Sequence, residues 1–291
     1  MPYVNNEDVK IYYEVHGKGE PLVLIQGLGG TVRSWEPQLE FFAKHFQVIL
    51  IDNRGAGQSD KPDTEYSIEL FAKDVKCVLD YLEIYSINLL GISMGGFIAQ
   101  RFYHLYPHLV KTLTLGCTGM GLNDPNHHMF SCELHEIMHA ERNDENHSYL
   151  IEAMHKHFFH PVFVKRNGKY MKNLHSYTKA YPQPYHSYKR QLMACYSEKG
   201  LSEHLPDIKV PTLIIHGEDD QVVPVQNAHF LASNIPNSKL SIIPETGHMF
   251  FVEKSAMFNS EVFQFLYENK SLKPQTSTNS SNQTTNVAMQ A

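Results

Sequence analysis

The chain has 291 residues, a length that suits one large α/β domain with an insertion or two smaller domains. Its formal net charge is −6 and it has no long run of lysine or arginine, so the charge pattern excludes a typical nucleic-acid-binding protein. No stretch of about 18 consecutive apolar residues occurs, and the sequence therefore predicts no membrane span.

The amino terminus and the cysteines favour a soluble cytoplasmic protein. The first residues, MPYVNNEDVK, lack the basic and apolar segments of a secretory signal peptide. Cys77, Cys117, Cys132 and Cys195 are scattered and form no C-x-x-C pair. This spacing is typical of reduced thiols rather than of a disulfide framework or a zinc site.

Predicted strands and helices alternate along most of the chain. Short aliphatic runs indicate strands, and apolar residues recurring every three or four positions indicate helices. In order, these are strands at KIYYEVHG and PLVLIQG, a helix at SWEPQLEFFAKHF, a strand at QVILIDN, a helix at SIELFAKDVKCVLDYL, the INLLGI strand with its following helix, and a strand at VKTLTLGCT. Later come strands at PTLIIHGED and KLSIIPET, with helices at QNAHFLASNI and near EVFQFLYENK. The pattern predicts an α/β fold with a mostly parallel, doubly wound sheet.

One insertion interrupts this alternation. Residues 1–119 and 206–270 carry the predicted core, whereas residues 120–205 lose the strand signal and are rich in histidine, tyrosine and phenylalanine. We expect residues 120–205 to form a helical insertion, with helices at the stretches CELHEIMHAER and SYLIEAMHKHFF. Residues 271–291 are a tract of Ser, Thr, Asn and Gln, a composition that predicts a disordered tail.

Ser93 lies at the junction between the INLLGI strand and the next helix. Gly91 and Gly95 flank it in the pattern G-x-S-x-G, where glycines permit the tight strand-to-helix turn of a nucleophile elbow. A serine that only caps the helix is the alternative interpretation. Because a short motif also occurs by chance, the nucleophile hypothesis requires partner residues.

Two later strands are followed by suitable partners. Asp219 and Asp220 follow one strand and His248 follows the next, at the strand ends where functional groups gather in parallel sheets. A histidine must take the serine proton, and a carboxylate must orient that histidine. The order serine, acid, histidine matches the order associated with this elbow, and the sequence leaves the choice between the two aspartates open.

The segment QGLGGT follows an early strand and can approach a ligand closely through its glycines. It predicts an oxyanion hole made by the backbone amides of Leu28 and Met94. A phosphate-binding loop is the competing interpretation, but the full G-x-G-x-x-G fingerprint and a following lysine are both absent.

The motifs GISMGG, DNRGAGQSDKP, HGEDDQVVP and ETGHMFFVE resemble those of the α/β-hydrolase superfamily, in the branch of serine esterases, enol-lactonases and carbon–carbon bond hydrolases. The resemblance extends from about residue 3 to residue 268 and implies a helical cap inserted after the sixth strand. It also implies Ser93 as nucleophile, Asp220 as acid, His248 as base, and Leu28 and Met94 as oxyanion donors. One departure is Gln26, which stands where the family usually has histidine.

The insertion contains a second motif, HEIMHAE, which matches H-E-x-x-H. His135 and His139 could bind zinc while Glu136 acts as base. The candidate third ligands, Glu152, His155, His157 and His160, follow at no established spacing. We therefore favour surface histidines and predict neither a metal nor another cofactor.

The sequence thus predicts a serine hydrolase that acts on a small or medium, largely apolar carboxylic ester or lactone. A carbon–carbon bond hydrolase of dienoate-type ketones and a hydrolase-fold receptor with negligible turnover are the alternatives. Aromatic residues of the insertion are candidates for an apolar roof over the site. Phe97, Met249 and Phe250 are further candidates for the substrate pocket, with core packing as the alternative for each.

Overall fold

The computed structural model describes residues 2–143 and 145–270. Eight strands in these residues form one sheet in the order β1-β2-β4-β3-β5-β6-β7-β8. Their bounds are β1 Tyr3–Asn6, β2 Val9–His16, β3 Pro21–Ile25, β4 Gln47–Ile51, β5 Ile87–Ile92, β6 Val110–Gly116, β7 Thr212–Gly217 and β8 Ser238–Ile243. Strand β2 pairs antiparallel with β1 and β4, and all other pairs are parallel. The predicted mostly parallel sheet is confirmed, with β1 as an additional strand.

Helices cover both faces of the sheet. Within the described residues they are α1 Glu36–Phe42, α2 Ile68–Tyr81, α3 Met94–Leu105, α4 Cys132–His139, α5 His147–Phe158, α6 Pro161–Arg166, α7 Gly168–Ala180, α8 Tyr185–Ser197, α9 Leu201–His204, α10 Gln226–Asn234, α11 Phe250–Glu253 and α12 Ser255–Glu268. Strand β3 illustrates that side chains on both faces of the sheet are apolar and buried. Val23 packs into one hydrophobic core with helices α2, α3 and α10, and Leu24 packs into the other with α1, α11 and α12. A strand buried on both faces needs this continuous aliphatic run.

Six of the described helices, α4–α9, lie between β6 and β7. Leu134 and Met138 of α4 pack with Tyr188 and Leu192 of α8 and with Val222, which follows β7, so this segment contacts the loop that carries the candidate acid. The sequence pattern indicated α4 and α5 but not α6 or α7. Neither α6 nor α7 has a buried residue, so these two helices contribute little to a hydrophobic core.

The predicted disordered tail at 271–291 lies outside the described residues. Among the helices that the structure describes, none combines the length and the apolar character that a bilayer crossing requires.

Candidate active site

Ser93 occupies a sharp turn between β5 and α3. Its backbone has φ 54° and ψ −125°, a conformation that costs energy for any residue other than glycine. A Cβ atom at Gly91 would lie 2.1 Å from the Gly95 carbonyl oxygen, and one at Gly95 would lie 2.3 Å from the Ile25 carbonyl oxygen. Both glycines of G-x-S-x-G are therefore sterically required. The turn has the geometry of a nucleophile elbow.

His248 and Asp220 form a buried pair at the carboxyl ends of β8 and β7. His248 Nδ1 lies 2.8 Å from Asp220 Oδ2. Asp220 Oδ1 accepts hydrogen bonds from the backbone amides of Val222 and Val223, at 2.8 and 2.9 Å. These bonds fix the carboxylate, which in turn fixes the imidazole ring. The ring nitrogen Nε2 is left to receive a proton from a nucleophile.

A second histidine contacts the same carboxylate. His216 Nε2 lies 3.2 Å from Asp220 Oδ2 and 2.7 Å from the Val223 carbonyl oxygen. The carbonyl can only accept, so Nε2 carries the proton of this ring. Burial alone would raise the pKa of the Asp220 carboxyl, but the charge of His248 and hydrogen bonds from both histidines outweigh burial and lower it. His216 was not predicted from the sequence, in which its only signal is a polar residue at the end of a buried strand.

The two aspartates point to different neighbours. Asp219 is half-exposed, and its Oδ2 lies 3.5 Å from His160 Nε2 in the helical insertion. The Asp220 side chain is fully buried against His248. Of the two candidates that the sequence left open, Asp220 is therefore the one beside the imidazole.

Ser93 and His248 line one cavity of about 720 Å³ between the sheet and the helical insertion. The Ser93 hydroxyl forms no hydrogen bond to another residue among those described, and a Cβ at Gly27 would lie 3.2 Å from it. From the insertion, the aromatic residues Phe158, Phe159, Tyr177, Tyr181 and Tyr188 also line this cavity. The Phe158 ring lies 5.5 Å from the His248 ring.

The backbone amides of Leu28 and Met94 are available to a ligand. Met94 is the first residue of α3, where an amide has no acceptor within its own helix. Leu28 lines the cavity. Among the described residues, neither amide donates a hydrogen bond to a protein acceptor. Such free donors beside a nucleophile can stabilise a developing oxyanion.

Gln26 supports the loop that contains Leu28. It is buried, lines the cavity, and its carbonyl oxygen accepts a hydrogen bond of 3.0 Å from Asn53 Nδ2. Its side chain fills the space beside Gly30, where a Cβ atom would lie 2.7 Å from Gln26 Oε1. Glutamine thus packs under the loop at the position where the family usually has histidine.

The other pocket candidates occupy different environments. Met249 lines the cavity. Phe97 packs in the core formed with α2 and α3, and Phe250 packs in the opposite core against Phe258. Neither phenylalanine lines this cavity, and both have the core position that was the alternative interpretation.

The H-E-x-x-H histidines lie on the surface of α4. His135 and His139 are exposed and stack at 4.2 Å, and His139 Nε2 lies 3.0 Å from the Tyr196 hydroxyl.

In the described part of the chain, the one set of three potential metal ligands is Cys117, Asp220 and His248. Burial and the neighbouring Asp220 raise the pKa of the Cys117 thiol well above its ordinary value, and a protonated thiol is a poor ligand.

Two glutamines connect the insertion to the loop at Leu28. Gln191 of α8 is fully buried, and its Oε1 accepts hydrogen bonds from the Gly29 amide at 2.9 Å and from Gln183 Nε2 at 3.0 Å. Gln191 Nε2 donates to the Arg54 carbonyl, and Gln183 Nε2 donates to the Gly55 carbonyl, both at 2.8 Å. These bonds hold the backbone next to the Leu28 amide in position.

Replacing Gln191 by leucine is expected to impair catalysis through this loop. The variant leaves the partly buried Gly29 amide without its acceptor. A small displacement of the neighbouring Leu28 amide would then weaken any hydrogen bond from this amide to an oxyanion. We expect kcat for an activated ester to fall roughly tenfold to a hundredfold, with a smaller change in KM. Met193→Ala, on the exposed side of the same helix, is the control. Unchanged kcat in folded Gln191→Leu protein would contradict this role.

The comparisons with known proteins agree with this fold. The sequence profile of the α/β-hydrolase fold family matches residues 20–255, and the chain belongs to this family. It is accordingly a hydrolase, with the eight-stranded, mostly parallel sheet described above.

Three similar proteins illustrate the range of activities in the family. The chain is 28% identical over 268 residues to the "Putative carbamate hydrolase RutD" of Azorhizobium caulinodans, covering 92% of this chain and 99% of that one. It is 29% identical over 277 residues to a 2-hydroxy-6-oxo-6-(2'-aminophenyl)hexa-2,4-dienoic acid hydrolase of Metapseudomonas resinovorans, covering 91% and 90%. The solved structure of Est816, described as an N-acyl homoserine lactone degrading enzyme, is 30% identical with a TM-score of 0.77, covering 91% and 100%.

Proposed function

We propose that this protein is a serine hydrolase that cleaves a small or medium, largely apolar carboxylic ester or lactone through an acyl-enzyme on Ser93. The observation that carries the proposal is the 2.8 Å contact between His248 and Asp220 at the cavity that also contains Ser93. A serine on a strained turn that shares a cavity with an oriented histidine supports nucleophilic catalysis by this serine.

In this mechanism, His248 takes the hydroxyl proton as Ser93 attacks the substrate carbonyl carbon. The Leu28 and Met94 amides donate to the oxyanion of the tetrahedral intermediate, and Asp220 stabilises the imidazolium. His248 then gives the proton to the leaving alcohol as the bond to the acyl carbon breaks. Water attacks the acyl-enzyme with His248 again as base, which restores the Ser93 hydroxyl.

Residues 120–205 act in this proposal as a cap that selects the substrate. The cap contributes apolar side chains to the cavity, including Ile151, Met154, Phe158 and Leu174. Such a lining favours an apolar acyl or alcohol group and excludes water from the reacting atoms. We propose no metal or cofactor for this chemistry.

Carbon–carbon bond hydrolysis of a dienoate-type ketone is the second candidate. It is supported by the similarity to the dienoic acid hydrolase from Metapseudomonas resinovorans. The same serine, histidine and aspartate could serve both reactions. Comparing kcat/KM for a panel of esters and lactones with kcat/KM for such ketones would decide between them.

Labelling with a fluorophosphonate probe tests the nucleophile directly. Because an activated serine attacks phosphorus, we expect one covalent adduct, on the peptide that contains Ser93. Mass spectrometry of a proteolytic digest identifies the modified residue. Heat-denatured protein, in which the site is dismantled, is the control and should remain unlabelled. An adduct on another residue, or no adduct on folded protein, would reject Ser93 as the nucleophile.

A further inference from the structure

Arg142 lies in the connection between α4 and α5 and lines the same cavity as Ser93. Its guanidinium carbon lies 3.4 Å from the centroid of the Tyr188 ring, and its Nη2 lies 3.0 Å from Met154 Sδ. Tyr188 is itself held by a hydrogen bond of 3.0 Å from its hydroxyl to the Met138 carbonyl. The guanidinium is thus packed against an aromatic face and a thioether.

This arginine has no anionic partner among the described residues. Its Nε is buried without a hydrogen-bond acceptor, and no described carboxylate lies within ion-pair distance of it. Arg54 and Arg101 show the contrast, because each binds a carboxylate, that of Asp74 and Glu198 respectively. A buried donor without an acceptor is unfavourable, so the position of Arg142 indicates a partner from outside the described residues.

The charges around the cavity also favour an anion. Among its described lining residues, Arg33, Lys61 and Arg142 carry permanent positive charges, and Asp52 is the one carboxylate. Asp52 is already engaged, because its two oxygens accept hydrogen bonds from the Val32 and Gln58 amides, each at 2.7 Å. Lys61 has the carboxylates of Asp52 and Asp60 nearby, and Arg33 has that of Glu14. Arg142 is therefore the cation of this described lining that has no carboxylate nearby among the described residues.

The surroundings of Arg142 restrict the kind of anion. Its cavity neighbours Met138, Ile151, Met154 and Tyr188 are buried, and burial lowers the pKa of the guanidinium. In such a medium, one guanidinium matches a single negative charge, whereas a phosphate dianion would bring a second, uncompensated charge. A carboxylate has one charge and two oxygens that fit the planar guanidinium.

We propose that Arg142 binds a free carboxylate at the end of the substrate remote from the scissile carbonyl. This inference rests on the proposed function and specifies its substrate class: an otherwise apolar ester or lactone that carries one carboxylate, such as a monoester of a dicarboxylic acid. Arg142 is then a specificity-determining residue, and Ser93 performs the same chemistry whether or not the carboxylate is present.

Two matched pairs of esters test this inference. The first pair is 4-nitrophenyl hydrogen adipate and its methyl ester, which carry or lack a carboxylate on the acyl side. The second pair is the butyrate ester of 4-hydroxybenzoic acid and that of methyl 4-hydroxybenzoate, which differ in the same way on the alcohol side. The readout is the ratio of kcat/KM for the acid to kcat/KM for the neutral ester within each pair.

We expect this ratio to exceed about tenfold for at least one pair in the wild type. Arg142→Gln removes the positive charge and leaves a shorter polar side chain, and it should bring that ratio close to one. Arg142→Lys should retain part of the preference, because lysine keeps the positive charge but lacks the planar guanidinium with its paired N–H donors. Arg166→Gln, an exposed arginine of α6, is the matched control and should leave the ratio unchanged.

The outcomes separate this inference from the proposed function. A wild-type ratio near one in both pairs, or a ratio that Arg142→Gln leaves unchanged, would overturn the role of Arg142 while ester hydrolysis and Ser93 labelling persist. Equal losses for acid and neutral esters would identify Arg142 as a purely structural residue and also overturn it. Failure of all four esters together with absence of fluorophosphonate labelling would instead reject the proposed function.

Discussion

Ser93→Ala is expected to lower ester hydrolysis by about 10⁵-fold, because no other group can form the acyl-enzyme. The fold should survive the change. The hydroxyl makes no hydrogen bond to another described residue, and alanine bears the same backbone strain at φ 54° as serine does. The measurements are kcat with an activated ester and the thermal unfolding temperature of both proteins.

A matched control for this variant is Ser233→Ala, which changes an exposed serine of α10. This second variant should retain wild-type turnover. Turnover of Ser93→Ala within tenfold of the wild type, in a preparation free of wild-type protein, would be incompatible with Ser93 as nucleophile.

Asp220→Asn should lower turnover by about 10⁴-fold, as loss of the orienting acid does in comparable triads. In the wild type, His248 Nδ1 lies 2.8 Å from a carboxylate oxygen of Asp220. An amide in that place can present its NH₂ group to the ring and hold the imidazole in the wrong tautomer. Asp219→Asn should cost less than about tenfold, because that side chain is half-exposed and faces His160.

Both aspartate variants need a stability measurement beside the kinetics. Asp220 also accepts two backbone amides and contacts His216, so its replacement lowers stability as well as activity. Comparing kcat for folded protein at a temperature well below both unfolding midpoints separates the two effects. If Asp219→Asn were the more damaging change, the acid would be Asp219 and this assignment would fail.

Local steric rules explain why the turn at Ser93 could be predicted from the sequence. The required glycines, Gly91 and Gly95, stand two residues on either side of the serine, and their spacing is visible in one short motif. The aliphatic strands were equally visible, because a strand buried on both faces has a continuous apolar run. The choice of Asp220 over Asp219 came from family resemblance, since composition and spacing alone leave adjacent acids equivalent.

Contacts between distant segments could not be predicted in this way. Gln191 accepts a hydrogen bond from the Gly29 amide, although 162 positions separate the two residues in the sequence. No local pattern predicts that they are partners. Likewise, no local pattern in the sequence predicts that the Arg142 guanidinium lies over the Tyr188 ring. Phe97 and Phe250 show the converse difficulty, because an apolar residue close in sequence to a catalytic candidate can pack in a core or line a pocket.

Some parts of the insertion are bound to the core and others are not. This difference determines which positions of the insertion tolerate substitution during evolution. The Phe158 carbonyl accepts the Met249 amide at 3.0 Å, and the His160 amide donates to Glu253 at 3.2 Å, so these positions are coupled to the segment around His248. Helices α6 and α7 bury no residue, although Leu174, Tyr177 and Thr178 of α7 still face the cavity. Substitutions in α7 can therefore alter substrate preference at little cost to folding, whereas a substitution at Phe158 changes the ring that lies 5.5 Å from the His248 ring.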